Sequence, residues 1–145
     1  MRITRSLLAL TLMFAAGFAA GQFSRADLAA QPAPAQKVYE LRTYYTHPGK
    51  LPDLNTRFRD HTTRLFEKHG MTNVGYWVPQ DEPAHSNTLT YVLAHDSREA
   101  AKQSWSGFLN DPEWKKVKSA SEANGPIVTK VDSVFMDPTD YSKLK

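Results

Sequence analysis

The sequence predicts an α+β fold in which four strands and two main helices alternate as a split β-α-β-β-α-β unit, one antiparallel sheet with both helices on one side. Three observations predict it. Stretches with strand character open at Val38 and cover 72–78, 88–95 and 127–136. Apolar residues at helical spacing fill 52–69 and the stretch after Asp96. Turn and stop signals separate them: Pro48-Gly49, Gly70, Pro79 and Asn124-Gly125-Pro126.

The first strand sets Val38, Glu40, Arg42 and Tyr44 on one face and Tyr39, Leu41, Thr43 and Tyr45 on the other. The face with Glu40 and Arg42 is unusual, because two opposite charges sit between Val and Tyr. It meets solvent, or it is a paired charge inside a subunit interface. Pro48-Gly49 makes the turn, and Pro52 suits a first helical turn, where its missing N–H costs nothing. Leu51, Leu54, Phe58, His61 or Thr62, and Leu65 recur along the first helix. Gly70 supplies the left-handed residue that ends it. Residues 72–78 form a strand stopped by Pro79, and 80–87 form a polar loop. Thr88 to His95 forms the third strand, with Leu89, Tyr91, Leu93 and His95 on one face.

Asp96-Ser97-Arg98-Glu99 reads as a capping box, with Asp96 as cap and Glu99 at the third helical position. Ala100, Ala101, Trp105, Phe108 and Leu109 then form the buried stripe of the second helix. Asp111-Pro112 starts a short third helix that runs to about Ala123. Residues 127–136 close the sheet, and 138–145 form a polar tail. This is the ferredoxin-like arrangement. Its second sheet face, assigned here to residues such as Val38 and Tyr44, lacks a cover within the chain, and a second copy is the simplest one.

The first 35 residues read as a separate segment. Arg2 and Arg5 precede an apolar run from Leu7 to Ala20, followed by Ala- and Pro-rich sequence with several cleavage candidates. A cleaved secretory signal or an uncleaved anchor over 7–21 both fit, and either sends residues 36–137 outside the cytoplasm as a periplasmic, secreted or membrane-anchored domain. The absence of cysteine excludes disulfides, thiolate zinc sites, Fe–S clusters and Cys nucleophiles. Residues 36–145 carry 15 Lys and Arg against 14 Asp and Glu, a net of +1, while residues 1–35 contribute +2. A near-neutral domain without a basic stripe argues against nucleic acid. Lys115, Lys116 and Lys118 read as a solvated helix face.

The segment Val38 to Lys50 resembles the opening strand of NIPSNAP-type domains. Four further segments carry the resemblance: Lys68-His69-Gly70, Gly75-Tyr76-Trp77, Leu89 to Asp96, and Asp111-Pro112-Glu113-Trp114. They span nearly all of residues 37–136, with the leader and the tail outside. The resemblance implies a dimeric α/β barrel related to cofactor-free monooxygenases, stress-responsive barrel proteins and haem-using barrel enzymes. It also implies a ligand cavity between helices and sheet.

Among the residues able to carry chemistry, His61 stands first. It lies three residues after Phe58 and seven after Leu54, so helical periodicity points it with the apolar stripe toward the sheet. There it is a general base, an iron ligand, or a core His bonded to a carbonyl or a Tyr hydroxyl. His69 reads as a C-terminal helix cap, while His47 and His85 read as surface residues. Tyr39, Tyr45, Trp77, Tyr91 and Trp105, with His95, form an aromatic pocket or simply core. Glu40, Arg42 and Tyr44 are assigned to the dimer interface. No His pair has metal-site spacing. The sequence requires no cofactor, and haem on His61 is one candidate.

Three functions fit. A homodimeric module holds a small hydrophobic or aromatic, quinone-like ligand. Alternatively, His61 with a nearby Tyr serves a cofactor-free or haem-assisted oxygenase. In the third reading the dimer is purely structural and side chains fill its cavity. Cavity volume separates the third from the others, with at least about 300 Å³ needed for a ligand.

Overall fold

The strand pattern of the sequence becomes one antiparallel sheet in the computed structural model, which describes residues 36–144. The leader, and the signal or anchor assigned to it, lie outside the described residues. Strands β1 (Val38–Thr46), β2 (Thr72–Trp77), β3 (Thr88–His95) and β4 (Val128–Met136) take the order β2-β3-β1-β4. That is the ferredoxin-like order, with β1 central and β2 and β4 as edges.

Register decides the two faces. Glu40 stands opposite Leu93 and Phe135, Arg42 opposite Tyr91 and Ser133, and Tyr44 opposite Leu89 and Val131. This set faces the helices, since Tyr44 and Tyr91 pack edge-on and tilted against Phe58. The alternate set, Tyr39, Leu41, Val92, Val134 and Met136, faces away from them. Val38 and Tyr44, expected on the uncovered face, lie instead on the face toward the helices. Trp77 and Val134, 54% and 55% exposed, lie on the side without helices. Part of that side is crossed by the C-terminal tail. Pro138, Ser142 and Leu144 lie over Tyr39, Val74, Trp77 and Val92, enclosing a hollow of 310 Å³.

The first helix is not continuous. It comprises α1 (Leu51–Arg57), a π-helical turn (Phe58–Thr62) and α2 (Thr63–Lys68). Within the π turn the Thr62 hydroxyl donates to the Arg57 carbonyl at 3.1 Å, five residues back. Thr63 N–H likewise reaches the Phe58 carbonyl. One extra residue per turn advances the apolar stripe, which runs Leu54, Phe58, Thr62, Leu65. Gly70, at φ +78°, ends the helix in the left-handed conformation that an L side chain resists. Within the 80–87 loop lies one short helical turn, α3 (Ala84–Asn87).

Helix α4 (Arg98–Asn110) starts one residue later than expected. Ser97, not Asp96, is the cap and accepts from Ala100 N–H at 3.0 Å, while Asp96 pairs with Lys37 at 2.8 Å. In α4 Ala101 and Phe108 are buried and Leu109 is exposed. Helix α5 (Pro112–Ser121) is capped as expected, with Asp111 Oδ1 accepting from Glu113 N–H at 2.8 Å. Asp111 also accepts from Lys68 and His69, and these bonds hold its carboxyl well below the usual range. His69 thus ties the end of α2 to the start of α5 through a carboxylate.

Candidate functional site

The largest aromatic-walled space lies between the helices and the β1–β4 side of the sheet. It measures 510 Å³. β1 contributes Tyr44, β4 contributes Val128 and Val131, the π turn contributes Phe58 and Thr62, and α4 and α5 contribute Phe108 and Trp114. Phe108 and Trp114 pack at 4.4 Å between ring centroids, a rigid apolar wall. The rim is charged: Arg57, Lys115, Lys118 and Glu122. Arg57 is 4% exposed and donates from Nη1 to Glu122 at 3.0 Å and to Ser121 at 3.2 Å. Its Nε is buried with no hydrogen-bond partner among the described residues.

A polar cluster adjoins this space along the same sheet face. Glu40 is 1% exposed and accepts four bonds. Arg42 Nη1 at 2.7 Å and Ser133 Oγ at 2.6 Å reach Oε1; Trp105 Nε1 at 2.7 Å and His95 Nε2 at 3.2 Å reach Oε2. Burial alone would raise the Glu40 pKa; the bonds from His95, Ser133, Arg42 and Trp105 outweigh it and bring the group to about 2. The Arg42 guanidinium lies 4.2 Å from the Trp105 ring centroid and 5.6 Å from that of Tyr44. Arg42 therefore links the cluster to the cavity wall.

The expected site residues separate into three places. Tyr91 and His95 lie on the helix side, buried. Tyr91 packs among Tyr44, Phe58, Phe66 and Tyr76, and burial pushes its hydroxyl well above the usual pKa. Tyr39, Tyr45 and Trp77 lie on the opposite face; Tyr39 and Trp77 line the hollow under the tail, and the Lys130 amine sits 5.3 Å from the Tyr45 ring. These residues do not form one pocket. Of Glu40, Arg42 and Tyr44, assigned to a dimer interface, the first two contact Trp105 of α4 and Tyr44 contacts Phe58 of the π turn, all within their own chain.

His61 is exposed. The π turn hands its core position to Thr62, which is 1% exposed. His61 lines a different cleft, of 600 Å³, on the outer side between α1 and α5, with Asp53, Glu113, Lys116 and Asn124. Such polar walls do not fit a haem macrocycle, which needs apolar faces. Among the described residues no group of three or more His, Cys, Asp or Glu is placed to hold a metal ion.

Sequence reasoning passed over Arg57 and Trp114 as site residues. Trp114 appeared only in a helix-start motif, and Arg57 carried no expectation at all. A buried arginine carries no local signal; it emerges only when Glu122, 65 residues away, closes on it.

The comparisons agree with this architecture. The NIPSNAP family model matches residues 39–143, so it extends into the tail that had been set outside the resemblance. A NIPSNAP family protein of unknown function from Agrobacterium tumefaciens has a TM-score of 0.67 at 20% identity, covering 78% of this chain and 97% of that one. SnoaB, a cofactor-independent oxygenase from Streptomyces nogalater, has a TM-score of 0.51 at 13% identity, covering 75% and 99%. A Streptomyces coelicolor monooxygenase in complex with nanaomycin D has a TM-score of 0.53 at 14% identity, covering 76% and 94%. No curated protein matches. The solved structures share the fold, and the family model runs from the first strand through the last and into the tail: the chain belongs to the NIPSNAP family.

Proposed function

We propose that the protein is an exported, self-associating binding module that holds a small planar aromatic molecule between its helices and its sheet. The observation that carries this reading is the 510 Å³ space walled by Tyr44, Phe58, Phe108 and Trp114. It exceeds the roughly 300 Å³ that a small-molecule site requires. Flat apolar walls with a charged rim favour a ring system with one polar edge. The same volume counts against a dimer whose cavity is filled by side chains. Self-association has its support in the apolar residues of the helix-free face, Trp77, Val134 and Met136. Export rests on the leader sequence alone.

An oxygenase role stands second, supported by the shared fold with SnoaB and the Streptomyces coelicolor monooxygenase. This reading places the chemistry away from His61, which lines the other cleft. Tyr44, Lys115, Lys118 and Glu122 are groups at the cavity able to exchange a proton.

The test is titration of the purified protein with 1,4-naphthoquinone, followed by calorimetry and by quenching of tryptophan fluorescence. Saturable one-to-one binding that Trp114→Ala abolishes and His61→Ala leaves intact supports the reading. Absence of saturable binding, or loss in His61→Ala alone, overturns it. Oxygen uptake with a naphthol substrate separates the enzyme from the binding module.

A further inference from the structure

We infer that the cavity between helices and sheet selects an aromatic molecule bearing a negative charge, such as a carboxylate, over its neutral counterpart. This rests on the binding reading above and adds the ligand's charge to it. Four charged side chains line the space, and three are cations: Arg57, Lys115 and Lys118 against Glu122. Glu122 is already engaged. It accepts from Arg57 at 3.0 Å, and the Lys118 amine lies 3.8 Å from its other oxygen. Lys115 has no ion pair among the described residues, so the rim keeps a positive excess.

The second observation concerns a hydrogen-bond donor rather than net charge. Arg57 Nε–H is buried and has no acceptor among the described residues. A buried donor left unpaired is costly, and a carboxylate is an acceptor whose geometry and charge match a guanidinium group. An acid arriving in the cavity supplies the missing acceptor, while its ring meets Tyr44, Phe58 and the Phe108–Trp114 wall. Lys115 and Lys118, three residues apart on α5, present their charge at the same rim.

The experiment compares 2-naphthoate with 2-naphthamide, which share a ring system and differ in charge. Affinity is read by calorimetry on the purified protein, its Lys115→Ala variant and its Lys115→Glu variant. Lys115 is exposed and has no ion pair among the described residues, so both variants should keep the fold. The expected result is naphthoate binding about tenfold more tightly than the amide, consistent with a charge-assisted contact. Lys115→Ala should weaken naphthoate several-fold and Lys115→Glu further, with the amide unchanged. Equal affinities for the two, or naphthoate binding indifferent to both variants, overturns the inference while leaving the aromatic cavity standing. Failure of both compounds and of the quinone overturns the binding reading with it.

Discussion

Trp105 donates its indole N–H to Glu40 at 2.7 Å, so a tryptophan of α4 reaches a carboxylate in the central strand. That single bond orients the molecule. It tells which face of β1 lies under the helices, and it anchors α4 over the pair Glu40–Arg42. A buried carboxylate with four donors is stable only as a complete set, because each unsatisfied lone pair is left in a low-dielectric interior. Glu40→Ala should therefore cost about 3–5 kcal/mol, leaving Arg42 without its counter-charge and His95 without its hydrogen-bond partner. Trp105→Phe removes one bond of the set and should cost about 1–3 kcal/mol. Urea unfolding of each single variant and of the double variant checks both. Strictly additive losses would mean that Trp105 and Glu40 act independently.

Stability should fall in acid through this same group. The Glu40 pKa drops from an ordinary 4.5 to about 2 on folding. The unfolded chain therefore takes up a proton first as pH falls. The contribution is complete above about pH 4.5 and is lost as pH falls toward 2, with a size of ~3 kcal/mol. Asp111, held low by Lys68 and His69, adds a loss of the same sign. The measurement is unfolding free energy at pH 7 and pH 2.5 for the wild type and Glu40→Gln. Most of the wild-type acid loss should be missing from the variant. An equal acid loss in both would remove Glu40 from the explanation.

The strands, the order of elements and the turn glycines were legible because they rest on local chemistry. Gly70 needs positive φ, Asp111-Pro112 starts a helix, and Leu89, Tyr91 and Leu93 alternate cleanly. The facing of β1 was not legible, since the face that packs under the helices is the one that carries the charges Glu40 and Arg42. Long-range bonds decide it: Trp105 is 65 residues and Ser133 93 residues from Glu40. His61 went astray for another reason. A period of 3.6 carried past Phe58 arrives at residue 61 or 62, and the π turn selects 62. The capping box failed on a similar scale, because Lys37 draws Asp96 away and Ser97 caps instead.

The π turn makes its own prediction. If Thr62 occupies the core and bonds the Arg57 carbonyl, Thr62→Val keeps the shape but removes that bond, at a cost of about 1 kcal/mol. Thr62→Ala removes the bond and a buried methyl together and should cost more, about 2 kcal/mol. His61→Ala should stay within about 0.5 kcal/mol of the wild type, as surface substitutions do. Thermal or urea unfolding of the three variants ranks them. A large loss in His61→Ala with a neutral Thr62→Val would show that the helix runs without the extra residue.

The helix-free face offers the last prediction. Val134 stands opposite Leu41 on β4, is 55% exposed, and shares its side with Met136 and Trp77. Apolar side chains on a sheet face that no helix covers gain most when a second apolar surface meets them. Val134→Arg puts a hydrated charge into that contact, where burial without a partner is prohibitive. Its side chain has no role in the helix-side core, so the chain should still fold. Sedimentation velocity should show the wild type as a dimer and Val134→Arg as a monomer, with matching circular dichroism spectra. Lys130→Ala, on the same strand and face but on a residue already exposed and paired with Asp132, should remain dimeric. A Val134→Arg variant that stays dimeric would move the interface to an edge strand, where β4 or β2 leaves its outer backbone groups unpaired.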